Sequence, residues 1–335
     1  MPNPNLIPLS LYIHIPWCVK KCPYCDFNSH ESRTPIDFVG YVDALLDDLK
    51  TQLSFVQGRK IATIFIGGGT PSLLPIAQYR QLFAGINAQL TLTHDCEITM
   101  EANPATVEHA PFHEYLAVGI NRLSLGVQSF QTQKLAALGR IHNPQQALLA
   151  IVNAQQAGFK KLNVDLMHGL PNQTLTDALS DLQQAIDLGV SHISWYQLTI
   201  EPNTVFYRNT PILPDDEILV DIFEQGAQLL QANGFVQYEV SAWSRQADFQ
   251  PSQHNLNYWQ FGDYLAIGAG AHGKVTRPDG IYRFSKSRLP KDYRVNQSAI
   301  GWQAIEPSDL PFEFMMNGLR LKNGVPKQFW TQRRG

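Results

Sequence analysis

Six short apolar segments alternate with longer amphipathic stretches over the first 200 residues of the chain. Parallel strands need long crossover connections, usually helices, so this alternation predicts a parallel α/β sheet. Six units are too few for a complete eight-stranded barrel and fit a partial (β/α)6 barrel. The alternative is a doubly wound open sheet, because hydrophobic periodicity alone does not distinguish this fold from a partial barrel. The predicted strands are LYIHIP (11–16), IATIFI (61–66), EITMEAN (97–103), RLSLGVQS (122–129), KLNVDLMHG (161–169) and HISWYQLTI (192–200).

The pattern changes after about residue 200. A helix is predicted near 215–233, followed by irregular, aromatic-rich sequence at 239–259 and a glycine-punctuated strand at 264–273. We therefore expect a partial barrel over residues 1–205 and an α+β C-terminal extension over residues 206–335. Within the first part, one helix is expected to begin at Thr34 with a capping hydroxyl. Further helical stretches are expected from Pro75 onward and over residues 174–189.

The charge and composition of the chain argue against a nucleic-acid partner and against a stable membrane anchor. The 335 residues include 26 basic and 29 acidic side chains, a formal net charge of −3, and no basic run suits a phosphate backbone, so no nucleic-acid partner is expected. The N-terminus MPNPNLIPLS lacks the features of a signal peptide, and no apolar run reaches the length of a membrane span. With four cysteines in all, the chain is expected in the reducing cytoplasm, without a stable membrane anchor.

Polar or glycine-rich residues lie at the ends of the predicted strands. Because the carboxyl ends of parallel strands meet at one edge, these residues are expected to form one site. In chain order they are Cys18, Cys22 and Cys25, GGGTPS (67–72), Glu101 and Asn103, Gln128, Asp165, and Tyr196 and Gln197.

The three clustered cysteines have the spacing C-x3-C-x2-C, at Cys18, Cys22 and Cys25. Three thiolates can ligate three irons of a cubane iron–sulfur cluster and leave the fourth iron open to a group that is not protein. The alternative is a structural zinc ion, which needs four protein ligands and would take His14 or His30 as the fourth. Cys96 lies far away and is expected to be a buried small hydrophobic residue.

The loop CVKKCPYC, preceded by LYIHIP, resembles the cluster loop of the radical S-adenosylmethionine (SAM) superfamily. GGGTPS, EANP (101–104), RLSLGVQSF (122–130), DLMHGLP (165–171) and HNLNYW (254–259) are similar to the branch that holds oxygen-independent coproporphyrinogen III dehydrogenases and HemW-type heme chaperones. The resemblance covers residues 11–320 and implies a (β/α) barrel and a [4Fe–4S] cluster held by the three cysteines. It also implies SAM on the open iron, whose reductive cleavage gives a 5′-deoxyadenosyl radical. Members of this branch usually continue past residue 335 into a small helical region, so a truncated chain is expected.

The same resemblance implies which residues contact SAM. Without it, the glycines would be interpreted as a tight turn, and Glu101 and Asp165 as strand-end residues that cap the next helix. The number of SAM molecules stays open, and no catalytic residue is assigned. The implied contacts are Tyr12, Tyr24, Gly68, Gly69, Thr70, Glu101, Gln128, Arg140 and Asp165.

Two features favour the heme chaperones over the dehydrogenases. The dehydrogenases carry a further cysteine two positions after the third, where this chain has Phe27, and HNLNYW is similar to the chaperone motif. His254 is the candidate heme ligand, since imidazole is a common axial ligand, and the alternative is a core histidine among packed aromatic residues. The aromatic residues that offer a flat surface to a porphyrin are Trp243, Tyr258, Trp259, Phe261 and Tyr264.

The resemblance implies a protein that binds heme and delivers it to apo-hemoproteins, with respiratory hemoproteins as the candidate acceptors. The cluster and SAM would then act as a structural or regulatory switch that governs formation of a homodimer. A basic surplus at 277–294 could contact the propionates of heme, or of coproporphyrinogen in the dehydrogenase alternative, or be a solvated face. A radical SAM enzyme that modifies RNA is a third alternative. Such an enzyme would usually carry a basic domain, and none is visible in this sequence.

Overall fold

The computed structural model describes residues 4–32, 34–105, 110–297 and 300–333. The strands are β1 (Leu9–Ile15), β2 (Trp17–Cys18), β3 (His30–Glu31), β4 (Ile61–Gly68), β5 (Leu92–Ala102), β6 (Arg122–Gln128), β7 (Lys161–His168), β8 (His192–Gln197), β9 (Phe235–Glu239), β10 (Ala242–Arg245), β11 (Asp263–Ile267), β12 (His272–Arg277), β13 (Gly280–Ser285) and β14 (Ile300–Ala304). The α-helices are α1 (Phe38–Gln52), α2 (Ile76–Gln89), α3 (Phe112–Ala117), α4 (Thr132–Ala137), α5 (Pro144–Gln156), α6 (Leu175–Asp187), α7 (Val205–Arg208), α8 (Asp216–Ala232), α9 (Gln253–Trp259), α10 (Pro290–Val295), α11 (Leu310–Gly318) and α12 (Lys327–Arg333).

The six predicted strands are present as β1, β4, β5, β6, β7 and β8, which lie side by side in chain order and pair in parallel. A doubly wound sheet would reverse its strand order at a switch point. An unreversed order is that of a (β/α) barrel, and the expected α/β class with a partial barrel is confirmed. The described residues extend this sheet to twelve strands, with antiparallel additions at both ends, so the whole sheet is mixed.

The buried strands explain why the alternation was visible in the sequence. Every residue of β1 is buried except the half-buried Tyr12, because strands covered on both faces are apolar along their length.

Helix α6 begins as predicted at Thr174, whose hydroxyl accepts from the backbone N–H of Asp177, while the Asp177 carboxylate accepts from the N–H of Thr174.

The expected cap at Thr34 is wrong. Helix α1 begins at Phe38, and the Asp37 carboxylate accepts from the Gly40 N–H at 2.9 Å. Thr34 lies four residues before Phe38, too far to cap this helix, whereas Asp37 directly precedes it and reaches the N–H groups of the first turn.

The segment after residue 205 is more regular than expected. Residues 235–245 form the hairpin β9–β10, and the predicted irregular motif HNLNYW lies on helix α9. Strand β11 adds to the sheet in parallel beside β1, and β12, β13 and β14 continue from it as an antiparallel wing. Residues on both sides of position 205 therefore share one sheet, and the domain division at that position stays a prediction.

Among the residues described here, no helix has both the length and the apolar character needed to cross a membrane.

Candidate functional site

The loops after β1 and β4 are joined by their backbones. The N–H of Gly69 donates to the carbonyl of Ile15 at 2.8 Å, and the N–H of Thr70 donates to that of Trp17 at 2.7 Å. A side chain at position 69 would overlap the Trp17 carbonyl, so glycine is required for this approach. The glycine-rich loop is thereby held against the start of the cysteine loop.

The three cysteines line one cavity of about 300 Å³ at the carboxyl ends of the parallel strands. We call it the cysteine cavity. Of the nine residues predicted to contact SAM, Tyr12 is the one outside this lining, and it borders the neighbouring cavity. The predicted residues that line the cysteine cavity are Tyr24, Gly68, Gly69, Thr70, Glu101, Gln128, Arg140 and Asp165.

The cysteine side chains differ in their surroundings. Cys18 is buried at the end of β2, where burial raises the pKa of its thiol to about 11. The Cys25 N–H donates to the Cys22 carbonyl at 3.1 Å, and the Cys25 sulfur lies 3.7 Å from the hydroxyl of Ser29. Burial raises the pKa of the Cys25 thiol as well. Since metal ligation requires the thiolate, bound metal would release protons from these groups.

The geometry fits a cluster with an open iron better than a zinc ion. Neither His14 nor His30 lines the cysteine cavity. The His14 imidazole is hydrogen-bonded to the Tyr12 hydroxyl and to the Asn28 carbonyl, and the His30 imidazole to the Arg288 carbonyl. In the described parts of the chain, no three His, Cys, Asp or Glu side chains are arranged around a single ion. Three sulfurs that line one cavity, with no histidine among its described lining residues, suit a polynuclear cluster.

Arg140 places a positive charge in the cysteine cavity, whose lining also includes the exposed Lys20 and Lys21. Its Nη1 lies 3.7 Å from the sulfur of Cys22, and its Nη2 donates to the Gly126 carbonyl at 2.6 Å. Its Nε is buried and has no hydrogen-bond partner among the described residues. A buried donor without a partner is costly, so a ligand carboxylate at this position would satisfy it.

Two carboxyl groups, Glu101 and Asp165, also line this cavity. Burial and the neighbouring Asp165 raise the pKa of Glu101 to about 8, although Glu101 accepts a hydrogen bond from the Gly68 N–H at 3.3 Å. Burial also raises the pKa of Asp165, which accepts from Ser124 and Asn163 at 2.8 Å each. Carboxyl groups of this kind can accept hydrogen bonds from an ammonium group or a ribose diol.

Ser124 and Asn163 were missed by the sequence interpretation. They are register partners on β6 and β7, and the Asn163 amide also donates to the Ser124 hydroxyl at 2.7 Å. Polar residues within otherwise buried apolar strands are the signal that would have identified them.

A second cavity, of about 730 Å³, adjoins the first and shares Phe27, Gly68 and Glu101 with it. We call it the aromatic cavity, because its walls carry the aromatic side chains Tyr12, Phe65, Tyr258, Trp259, Phe261 and Tyr264. Three basic residues of segment 277–294 also line it, namely Arg283, Lys286 and Arg288. Arg277 and Arg294 do not line it and pair with Asp279 and Asp37 instead.

His254 lies outside the linings of both cavities. It is completely buried on α9, and its two ring nitrogens lie 2.7 Å from the hydroxyls of Thr63 and Tyr258. Burial lowers the pKa of the ring to about 3. This arrangement matches the alternative of a core histidine, and iron ligation by His254 would require one of these two hydrogen bonds to break. Trp243, another predicted heme contact, is also buried in the main core.

Comparison with known proteins identifies two matching families. Residues 12–185 match the Radical SAM superfamily, and residues 305–335 match the HemN C-terminal domain. The chain is 55% identical over 324 residues to the heme chaperone HemW of Escherichia coli, covering 96% of this chain and 85% of that protein. It is 55% identical over 330 residues to the heme chaperone HemW of Haemophilus influenzae, covering 97% and 86%.

More distant relatives match over a similar length. The heme chaperone HemW of Mycobacterium tuberculosis is 32% identical over 333 residues, covering 95% of this chain and 83% of that protein. Among solved structures, the coproporphyrinogen III oxidase HemN of Escherichia coli superposes with a TM-score of 0.81 at 23% identity, covering 94% of this chain and 76% of that one. At that identity the superposition supports the fold alone.

Proposed function

The chain belongs to the radical SAM superfamily and, within it, to the HemW family, and from that premise we propose that it binds heme and transfers it to apo-hemoproteins. We further propose that Cys18, Cys22 and Cys25 hold a [4Fe–4S] cluster and that SAM occupies the rest of the cysteine cavity. When bound, these groups would supply a redox centre in the cysteine cavity.

The chain's own residues would orient SAM in this cavity. Arg140 presents a buried donor without a described partner, which suits the SAM carboxylate. Glu101 and Asp165 line the same cavity and can accept hydrogen bonds from the ligand, and Ser124 and Asn163 fix the position of Asp165. The backbone of GGGT stays close to the cysteine loop and limits how far a ligand can shift.

The contact between the two cavities is the observation that carries the proposal. The cysteine cavity and the aromatic cavity share Phe27, Gly68 and Glu101 as a common wall. The larger cavity combines aromatic faces with cationic groups, which suits a flat apolar macrocycle that carries carboxylates. Its volume of about 730 Å³ also falls within the usual range for ligand pockets.

The test is anaerobic reconstitution of the protein with iron and sulfide, followed by titration with heme and with SAM in the same preparation. We expect about four irons and four sulfides per chain, saturable heme binding, and heme transfer to an added apo-hemoprotein. Zinc without inorganic sulfide would overturn the cluster assignment. Rapid decarboxylation of coproporphyrinogen III with SAM and a strong reductant would overturn the chaperone assignment.

Three further assignments belong to this proposal. Respiratory hemoproteins are the proposed acceptors, to be tested by transfer to their apo forms. SAM and the cluster are proposed to govern a monomer–dimer equilibrium, which light scattering of the reconstituted and the apo protein would detect. A cytoplasmic location is proposed because thiolate clusters persist in reducing compartments.

A further inference from the structure

We infer that heme lies in the aromatic cavity with His272, and not His254, as an axial ligand of its iron, and that Arg288 binds a heme propionate. This inference rests on the proposed function and adds the site and its ligand. It follows from comparing the histidines and cations that line the cavity.

Two histidines line the aromatic cavity, His14 and His272. Both ring nitrogens of His14 are hydrogen-bonded, to Tyr12 and to Asn28 at 2.9 Å each, and the ring is 4% exposed. His272 is exposed, and its ring forms no hydrogen bond with another described residue. An imidazole needs a free nitrogen to bind iron, so His272 meets this requirement without any rearrangement.

The backbone holds His272 close to the cysteine loop. His272 begins β12 and follows a turn in which Gly270 has a φ of +80°, and a side chain at Gly270 would overlap the side chain of Asn28. The Asn28 amide donates to the carbonyls of Ala269 at 3.0 Å and of Arg288 at 2.9 Å. One residue of the cysteine loop thus anchors both segments that carry the proposed heme contacts.

The cations of the cavity differ in whether a carboxylate already neutralises them. Lys274 and Lys286 are buried against Asp263 and Asp48, at 3.0 Å and 2.6 Å. Arg283 pairs with Glu313. Arg288 is exposed and forms no ion pair within the described residues, and its Nε lies 3.5 Å from the neutral side chain of Asn28. Its charge is therefore the one available for a propionate.

The ligand assignment is tested by titrating the reconstituted protein with ferric heme and recording the absorption and electron paramagnetic resonance spectra. We expect His272→Ala to bind heme at least about 10- to 100-fold more weakly, the range known for losing even an outer partner of a metal ligand. Its spectrum should change, and added imidazole should restore it. His94→Ala is the matched control, because His94 is exposed at the start of β5, away from the cavity.

The outcomes separate the inference from the proposed function. If the wild-type protein binds no heme, the proposed function fails and this inference fails with it. If the wild-type protein binds heme and His272→Ala has the same affinity and spectrum, the inference is overturned while the proposed function stands. A loss that occurs equally in His94→Ala also overturns it.

The propionate contact is tested separately with Arg288→Met. We expect up to about fivefold weaker binding of heme, comparable to an exposed ion pair, and unchanged binding of heme dimethyl ester, whose propionates are masked. Arg277→Met is the control, since Arg277 is also partly exposed but lies outside the cavity. Equal weakening of heme and its dimethyl ester would overturn the assignment of Arg288.

Discussion

The guanidinium of Arg140 lies 3.7 Å from the sulfur of Cys22, although 118 residues separate the two in sequence. Arg140 follows α4, and Cys22 lies between β2 and β3, so the fold brings these two segments together at the cysteine cavity. The contact places a permanent positive charge beside a group that must lose a proton to bind metal.

Replacing Arg140 is expected to weaken SAM binding more than cluster assembly. In Arg140→Met the charged donor to the ligand carboxylate is lost, which is worth about 1.5–3 kcal/mol, or roughly 10- to 100-fold in Kd. Isothermal titration of the reconstituted protein with SAM measures this loss, and iron and sulfide assays should stay near the wild-type values. Arg80→Met is the control, because Arg80 is exposed and pairs with Glu114. Unchanged SAM affinity would contradict the assigned role.

The four cysteines are expected to fall into two classes. Cys18→Ala, Cys22→Ala and Cys25→Ala should each abolish the reconstituted cluster, because each removes one of three ligands. Cys96→Ala should keep iron and sulfide and lower the free energy of unfolding by about 1 kcal/mol, since Cys96 is buried in the main core. Iron and sulfide analysis with urea unfolding distinguishes these effects. Loss of the cluster in Cys96→Ala would show that the ligand set is wrong.

The sequence predicted the barrel well because each of its strands and helices carries a local pattern. The position of β11 was not predictable in this way. It pairs in parallel with β1, from Leu9 opposite Asp263 to Ile13 opposite Ile267, and no local pattern encodes pairing over such a separation. The irregular segment 254–259 became helix α9 because Ser252 caps it and its buried face packs against the sheet.

In the candidate site, too, local sequence patterns predicted some residues and not those whose position depends on long-range packing. Strand-end residues such as Glu101 were predictable because parallel strands deliver them to one edge. His254 was chosen by residue type and motif, but its burial depends on α9 packing near Thr63, which residue type does not reveal. His272 was interpreted only as part of a strand, since the contact of its turn with Asn28 is made by the folded chain.

The raised pKa of Glu101 predicts a pH-dependent stability of the apo protein. Its pKa is about 8 in the folded state against an ordinary 4.5, so between these values the folded state holds a proton that the unfolded state has lost. Stability should therefore fall as pH rises through this window, by up to about 1.4 kcal/mol per pH unit. Urea unfolding between pH 5 and 8 should show this slope as the difference between wild type and Glu101→Gln.

Glu114→Gln is the control for this measurement, because Glu114 lies on α3 and pairs at the surface with Arg80. Its pH profile should follow that of the wild type. Parallel profiles for wild type and Glu101→Gln would contradict the assigned protonation of Glu101.

His254→Ala is expected to reduce stability more than heme affinity. The substitution removes a completely buried ring and leaves the Tyr258 hydroxyl without this partner, while Thr63 keeps its hydrogen bond to Ser10. We therefore expect a loss of about 2–4 kcal/mol in the free energy of unfolding. His113→Ala, at an exposed position of α3, should stay within about 0.5 kcal/mol of wild type. Heme titration of folded His254→Ala should give near wild-type affinity. A large loss of affinity with intact stability would instead favour His254 as the heme ligand.

Phe27 occupies the position at which the dehydrogenases carry a further cysteine, and it is 65% exposed on the wall between the two cavities. A side chain this exposed contributes little to folding, so Phe27→Ala should change the free energy of unfolding by no more than about 0.5 kcal/mol. We expect heme to bind about 2- to 10-fold more weakly, because an aromatic contact with the macrocycle is lost. Heme titration of the reconstituted variant measures this loss of affinity.

The control is Phe312→Ala, which removes a ring that is 69% exposed on α11 and lines neither cavity. This variant should bind heme like the wild type. Equal affinities for the two variants would remove Phe27 from the heme site, and loss of iron from Phe27→Ala would assign it to the cluster instead.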